Sequence, residues 1–518
     1  MKIRRTLEKS IAVIFSIVFA VCSFFTLFHF EKYPLGFHHS TLKTLIFALV
    51  CAGILIGYVK LFDGRNTKRV NIARLSIAFL LIILQVLLFL KVMTPIGWDA
   101  FEITNSAEYG MYNGDYFIRH TNNLFMQILL SDYLKIMKFL PILSPLRKME
   151  LLNLLFVDVS ILMAVMTARK LYGIKASDRV FICSVLLIGF HPTLSTIYSD
   201  TLAMPFPVGV LFFIVHAVHK APTADAPCKQ AYRIKVKKAL CMFMAGVLGI
   251  FGYYIKPTVL IIYIAMGILL FLRWEKEKLP KQLLLLFVSF ALGCGTAATV
   301  IYMREAPVKR TLEEQYPGII PLGVLHYMGL GLSSLEDDPS GYGGWNKPEV
   351  RWTQQHIEDD DYAQEAMAHI GERISNYGPI GYPEHLFNKL VWAGSDGTFF
   401  YGLEGGFHLE EQAPSNTLRG LLQNGFYIET NFYQNWFSSF MQGVWLMICV
   451  MSALSIFRKS GSIYSSAAKL SVLGLFLFLL LFENRSRYLF LYLPLVLLAL
   501  ESETGWTTAF TRRISKSS

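Results

Sequence analysis

Charge is scarce in this 518-residue chain: Asp, Glu, Lys and Arg make up 16% of it. Soluble domains carry about a quarter of their residues as charges, so an ordinary soluble enzyme is excluded. The seven cysteines (Cys22, Cys51, Cys183, Cys228, Cys241, Cys294 and Cys449) are scattered, mostly through apolar runs, with no CxxC pair. The longest polar segment holds none, so no disulfide framework and no cysteine metal site are encoded. A Walker P-loop, a GxGxxG after a strand, HExxH and GxSxG are also missing. ATP-driven transport by the chain itself, zinc proteolysis and serine hydrolysis therefore lack support. Internal repeats and low-complexity linkers are absent.

What is present is apolar: 54% hydrophobic and 14% aromatic residues, with a mean hydropathy of +0.44. The net charge of +11 does not form one basic patch but flanks apolar runs, so the partner is membrane lipid and not nucleic acid. Stretches of spanning length lie near 10–30, 41–62, 73–95, 149–168, 179–198, 200–219, 239–254, 258–273, 282–303, 438–457, 469–482 and 488–503. The fold class is an all-α polytopic membrane protein of about twelve spans.

The segment 122–140 is apolar but carries Asp132, Lys135 and Lys138, and charges in lipid are expensive. Loop charge decides its place. If it does not cross, the loops on one side hold 29 of the 48 lysines and arginines. The positive-inside rule then puts both termini in the cytoplasm and lays 122–140 along the outer interface as an amphipathic helix. Three regions follow: a transmembrane region over 1–303 with outer loops at 96–148 and 199–200, an extracytoplasmic domain at 304–437, and a transmembrane region over 438–518. The insertion carries 8 basic and 19 acidic residues. Within it, Asn346 and Pro348 predict the start of a helix of about 25 residues. Pro383 predicts a short helix ending near Trp392.

This topology sorts the polar residues. Asp99 and Glu102 follow the outer end of the third span, where a carboxylate can deprotonate a hydroxyl at the lipid-water boundary or simply cap a helix. Asp200, in the short turn Tyr198-Ser-Asp-Thr201, can bind a divalent cation such as Mg or Mn, orient a substrate, or cap the next helix. Lys256, Arg485 and Arg487 lie at outer helix ends, where they can hold an anionic headgroup or anchor the interface. Glu483 is a partner for one of the arginines. The Glu358–Asp361 cluster reads as a solvated face on an exposed helix. The pair His38-His39 and the residues His356 and His369, thirteen apart on one predicted helix, are weak metal candidates.

An acid after an early span, an outer amphipathic helix and a second acid in the next outer turn together resemble the GT-C glycosyltransferases, which include protein O-mannosyltransferases and aminoarabinose transferases. The strings WDAFE, YFIRHTNNL, YSDTLAMPF, GYYIKPT, HYMGLGL, SDGTFFYG and ENRSRYLF, in that order, look like a family of Gram-positive multi-spanning envelope proteins. That family is grouped with the polyprenyl-phosphate mannosyltransferase-like enzymes. The resemblance covers most of 73–500 and implies a GT-C-like arrangement in a bacterial plasma membrane. It implies a polyprenyl-phosphate sugar as donor and an envelope glycopolymer or lipid as acceptor. Asp99 then matches the acid of the first outer loop, the catalytic base of an inverting transfer; Glu102 falls near that family's second acid, and Asp200 matches the acid of the second outer loop. Lys256, Arg485 and Arg487 are assigned to the donor phosphate on physical grounds. The rival from another class is a transporter or flippase for a lipid-linked sugar, with Asp158 as its intramembrane charge. A third reading is a scaffold without catalysis.

Overall fold

The computed structural model describes residues 2–28, 40–92, 96–110, 113–218, 228–273, 281–337, 341–401, 412–457 and 462–501. His38 and His39 lie outside them. Helices α1 (Lys2–Leu27), α2 (Thr41–Phe62) and α3 (Lys68–Val92) are followed by short helices α4 (Trp98–Tyr109), α5 (Gly114–Arg119) and α6 (Leu124–Ile136). Then come α7 (Pro145–Tyr172), α8 (Ile174–Ser184), α9 (Ser199–Leu202), α10 (Pro205–Val218), α11 (Cys228–Ile255), α12 (Ile261–Arg273) and α13 (Lys281–Gln315). The insertion contributes α14 (Val324–Leu330), α15 (Lys347–His356), α16 (Tyr362–Gly394) and α17 (Leu418–Gln423), and the chain closes with α18 (Ser438–Ala453), α19 (Ile463–Leu481) and α20 (Leu493–Ala499). Among the described residues, nine helices are long and apolar enough to cross a membrane, and two shorter apolar helices, Pro257–Phe271 and Ser486–Ala499, accompany them.

These eleven helices answer to eleven of the twelve apolar segments, but the fifth is not one spanning helix. After α8 the backbone loosens into a π-helical turn, Val185–Gly189, and then a 3-10 turn, Pro192–Ser195. Pro192 has no amide hydrogen to continue the ladder. The irregular stretch is nonetheless buried, from His191 through Tyr198. It is tolerated because protein surrounds it: His191 Nε2 bonds Gly397 O at 3.1 Å, and its Nδ1 accepts from Thr193 N at 3.2 Å.

Small residues let the long helices touch. A Cβ on Gly246 of α11 would stand 2.3 Å from Phe290 O of α13, and one on Gly293 of α13 would stand 2.1 Å from Phe243 O. Only glycine permits that approach. A second device joins distant parts of the chain through consecutive residues of α8. Asp178 takes both Nε and Nη2 of Arg74 at 2.7 Å, while Arg179 binds Glu501 beyond α20, with Nε 2.9 and 3.1 Å from its two oxygens.

The segment around 122–140 forms α6, whose first half is buried and packs on α4, α7, α11 and α13. Its Asp132 is paired with Lys135 (3.0 Å) and with Arg304 of α13. In the insertion, Asn346 caps α15 as expected, its Oδ1 accepting from Glu349 N at 2.9 Å. The helix then stops at His356 after 10 residues instead of running for about 25. Glu358–Asp361 therefore sits on an exposed turn and not on a helix. The next helix kinks at Gly378 (φ 68°), and its second arm begins at Pro379, ahead of Pro383, and runs to Gly394.

Candidate functional site

Three segments that leave the membrane helices meet at one point. Tyr198, Lys256 and Arg485 are all extended and each precedes a helical turn: α9, Pro257–Leu260 and Ser486–Tyr492. Asp200 is fully buried in the first turn of α9. It does not cap that helix, whose N-cap residue is Tyr198. Its carboxylate is gripped by two cations instead: Lys256 Nζ binds Oδ1, and Arg487 Nε lies 3.3 Å from Oδ2.

Aromatic rings complete the desolvation. The Arg487 guanidinium carbon lies 3.8 Å above the Tyr198 ring, and Lys256 Nζ is 4.1 Å above Tyr488. Arg485 stands over Phe400 at 4.5 Å, with its Nε 3.7 Å from Glu483 Oε1. Tyr488 donates to the other Glu483 oxygen at 2.9 Å. Burial pushes the Lys256 ammonium below its usual range, and the Asp200 carboxylate pulls it back. The group thus holds three cations against two carboxylates, a positive surplus beneath aromatic walls.

Asp99 faces the same space from α4. Gly97 precedes that helix without a side-chain cap, and Trp98 is exposed with φ 62°. Asp99 Oδ1 accepts from Tyr116 Oη at 2.7 Å, and Asn123 Nδ2 donates to the same phenol oxygen at 2.6 Å. The His120 ring lies 4.8 Å from Tyr116. Burial holds His120 below the ordinary imidazole range, while the charges of Asp99 and Glu483 both act in the opposite sense. Glu483 also acts on Lys256, so the Asp99 and Asp200 clusters share one electrostatic neighbourhood. Glu102 takes a different partner, accepting from Asn113 Nδ2 at 3.0 Å.

The insertion sets the position of residues 480–487. Lys389 is buried on α16 and donates to Gly331 O (2.7 Å), Leu480 O (2.9 Å) and Phe482 O (2.8 Å). Asn484 bonds Gly343 O through its amide at 2.7 Å and Tyr342 O through its side chain at 3.1 Å. Asp396 then fixes Ser486, between the two arginines, by accepting its hydroxyl at 2.8 Å. The same carboxylate binds Thr398 N, Thr398 Oγ1 and Phe400 N at 2.8, 2.6 and 2.6 Å. That turn holds Phe399 and Phe400 at φ 48° and 64°, a conformation bulky residues rarely adopt. It places the Phe400 ring under Arg485.

The fold therefore assembles Asp99, Asp200, Lys256, Arg485 and Arg487. Sequence reasoning did not single out Tyr116, His120, Asn123, Lys389 or Asp396. The first three had a signal: they recur at i, i+4 and i+7, in the same outer loop as Asp99. Lys389 and Asp396 had none, because only their burial sets them apart. A divalent cation does not fit Asp200, since Lys256 and Arg487 face its two oxygens and would stand against a third positive charge. Among the described residues, no group of three or more His, Cys, Asp and Glu side chains is arranged to hold a metal.

The family model described as conserved hypothetical integral membrane protein matches residues 3–506. The chain belongs to that family. Among solved structures it is similar to ArnT from Cupriavidus metallidurans bound to undecaprenyl phosphate, at 12% identity, covering 86% of this chain and 79% of that one with a TM-score of 0.28. No curated protein matches it.

Proposed function

We propose that this family member transfers a sugar from a polyprenyl-phosphate donor to a hydroxyl of an envelope glycopolymer or lipid, on the outer face of a bacterial plasma membrane. The observation that supports it best is the meeting of one hydrogen-bonded carboxylate, Asp99, with a desolvated group of surplus positive charge built on Asp200. The first suits proton removal and the second suits a leaving phosphate. A lipid-borne donor keeps its chain in the bilayer, so only its headgroup needs a polar cavity.

In this reading, the acceptor oxygen attacks the anomeric carbon as Asp99 takes its proton. The bond from that carbon to the phosphate oxygen breaks, and the anomeric centre inverts. The departing lipid phosphate gains charge and is met by Arg485, Arg487 and Lys256, a stabilisation strongest in the transition state. These cations do the work a divalent metal would otherwise do. The sugar-phosphate bond supplies the driving force, so no nucleotide is consumed. The transport reading has less support. Asp158 is hydrogen-bonded to Gln85 of α3, a contact that suits a helix-packing group.

The test is the glycan composition of envelopes from cells lacking the protein, complemented with wild type or Asp99→Asn. Restoration of one missing sugar by wild type alone is the expected result. Full restoration by Asp99→Asn overturns the assignment and brings transport or scaffolding forward.

A further inference from the structure

Away from the charged site, the insertion carries a long polar groove. Two cavities of about 610 and 390 Å³ adjoin, both bounded by Asp337, Arg373 and Asn376. The larger extends past Ser334, Tyr342 and Tyr377, and the smaller past Asn346, Trp352 and Glu372. One wall is a single face of α16, on which His369, Glu372, Arg373, Asn376 and Tyr377 recur at i, i+3, i+4, i+7 and i+8. An amphipathic helix ordinarily places its apolar residues at that spacing. Here it places planar hydrogen-bonding groups.

The floor is rigid. Arg373 donates to Gly329 O and Leu332 O at 3.1 Å, to Glu349 Oε2 at 2.5 Å and to Asp337 Oδ2 at 3.4 Å. His369 Nε2 bonds Glu349 at 3.1 Å. Trp352 is stacked between His356 (4.4 Å) and His369 (4.1 Å). Glu372 and Asn376, by contrast, are exposed along the rim.

We infer that this groove binds the glycan acceptor, as a hydroxyl-rich oligosaccharide without net negative charge. This rests on the transferase reading and adds the acceptor's place and class. Above that floor the exposed rim sets an acceptor, Glu372, beside an amide that both donates and accepts, Asn376, which is the pattern that sugar hydroxyls, donor and acceptor at once, require. An anion would need donors alone and would meet the carboxylates of Glu336, Asp337 and Glu372; a metal ion would need acceptors alone. The apolar sides of Tyr342, Tyr377 and Leu335 suit sugar C–H faces. From His369 to Tyr377 the helix rises about 12 Å, the length of a short oligosaccharide. One wall of the groove is tied to the charged site, because Tyr342 O holds Asn484, one residue from Glu483 and Arg485.

The experiment measures binding of chitotetraose, its deacetylated amine form, cellotetraose and a polyglycerol phosphate to the full chain in detergent, by saturation-transfer NMR. The variants are Glu372→Ala and Asn376→Ala, both exposed and outside the floor's hydrogen bonds. Binding of at least one uncharged or amine-bearing glycan, weakened about tenfold or more by each variant, is the expected result. Binding only of the polyglycerol phosphate, no binding of any probe, or binding unchanged in both variants overturns the inference. Because binding is read without turnover, failure of the transferase reading is separable. If Asp99→Asn restores the envelope sugar while the glycan still binds at Glu372 and Asn376, the transferase reading falls and the groove survives as a glycan site. If Asp99→Asn abolishes transfer while neither rim variant changes binding, the groove assignment alone falls.

Discussion

Asp200 and Arg487 are held 3.3 Å apart in a place where the carboxylate is wholly buried and the guanidinium nearly so. With Lys256 on the other oxygen, the acid serves two cations at once. Removing one member of a buried charge set leaves the others uncompensated, at a cost of about 3–5 kcal/mol. Asp200→Ala is therefore expected to lower thermal stability in detergent sharply. Pairing it with Lys256→Met is expected to recover part of the loss. A double variant no more stable than Asp200→Ala would show that the two residues do not act as a unit.

Tyr116 positions Asp99 from one side, with Asn123 fixing the phenol in turn. Tyr116→Phe deletes a hydrogen bond to a charged group, a contact worth about 1.5–3 kcal/mol. Turnover is expected to fall about ten- to a hundredfold with donor KM little changed. A rise in donor KM at constant turnover would move Tyr116 from the base to the donor site.

Metal removal is expected to leave transfer intact. Both Asp200 oxygens already face cations, so extensive chelation followed by Mg or Mn addition should change the rate less than about twofold. Loss on chelation with full recovery on re-addition would require another arrangement of Asp200.

Ser486 hangs from Asp396, whose carboxylate takes four donors in a buried turn. Burial pushes this acid up and the four donors pull it back. Asp396→Asn replaces an acceptor oxygen with a donor facing N–H and O–H groups. It is expected to raise donor KM by misplacing Arg485 and Arg487, and to cost about 1–3 kcal/mol of stability. Ser486→Ala, which spares the turn, should reproduce the KM effect more weakly; unchanged kinetics in both would detach the turn from the site.

Acid should loosen the insertion. Burial pushes both His326 and His385 down to about 4 from an ordinary 6.5. A folded-state value below the unfolded one means that the unfolded chain takes up protons first as pH falls. Stability from these residues is constant above pH 6.5, declines between about 6.5 and 4, and levels off below. Melting temperature measured across that window is expected to show the decline, and the double variant His326→Gln, His385→Gln should flatten it.

Much of this was legible because charge is rare in the chain. Asp99, Asp200, Lys256, Arg485 and Arg487 stood out against apolar surroundings, and the fold gathers all five. Their partnerships were not legible: nothing in spacing shows that Asp200 and Arg487 meet, or that Lys389 turns inward onto three carbonyls. The spans followed from hydropathy, except that an average over 179–198 hides the break at Pro192. The insertion was read least well. Taking α15 and α16 as one helix sets His356 and His369 thirteen residues apart, whereas the turn at Glu358–Asp361 folds them onto opposite faces of Trp352.

The order of synthesis gives the charged cluster a history. Asp200 and Lys256 emerge from the ribosome more than two hundred residues before Arg487, and the Glu501 carboxylate that locks Arg179 comes later still. A growing chain thus carries only the Asp200–Lys256 ion pair, neutral on balance, while more than two hundred further residues thread into the bilayer. The third charge arrives only as the last span is laid down. A product cut short anywhere before Arg487 would therefore lodge in the membrane with the charged cluster unfinished.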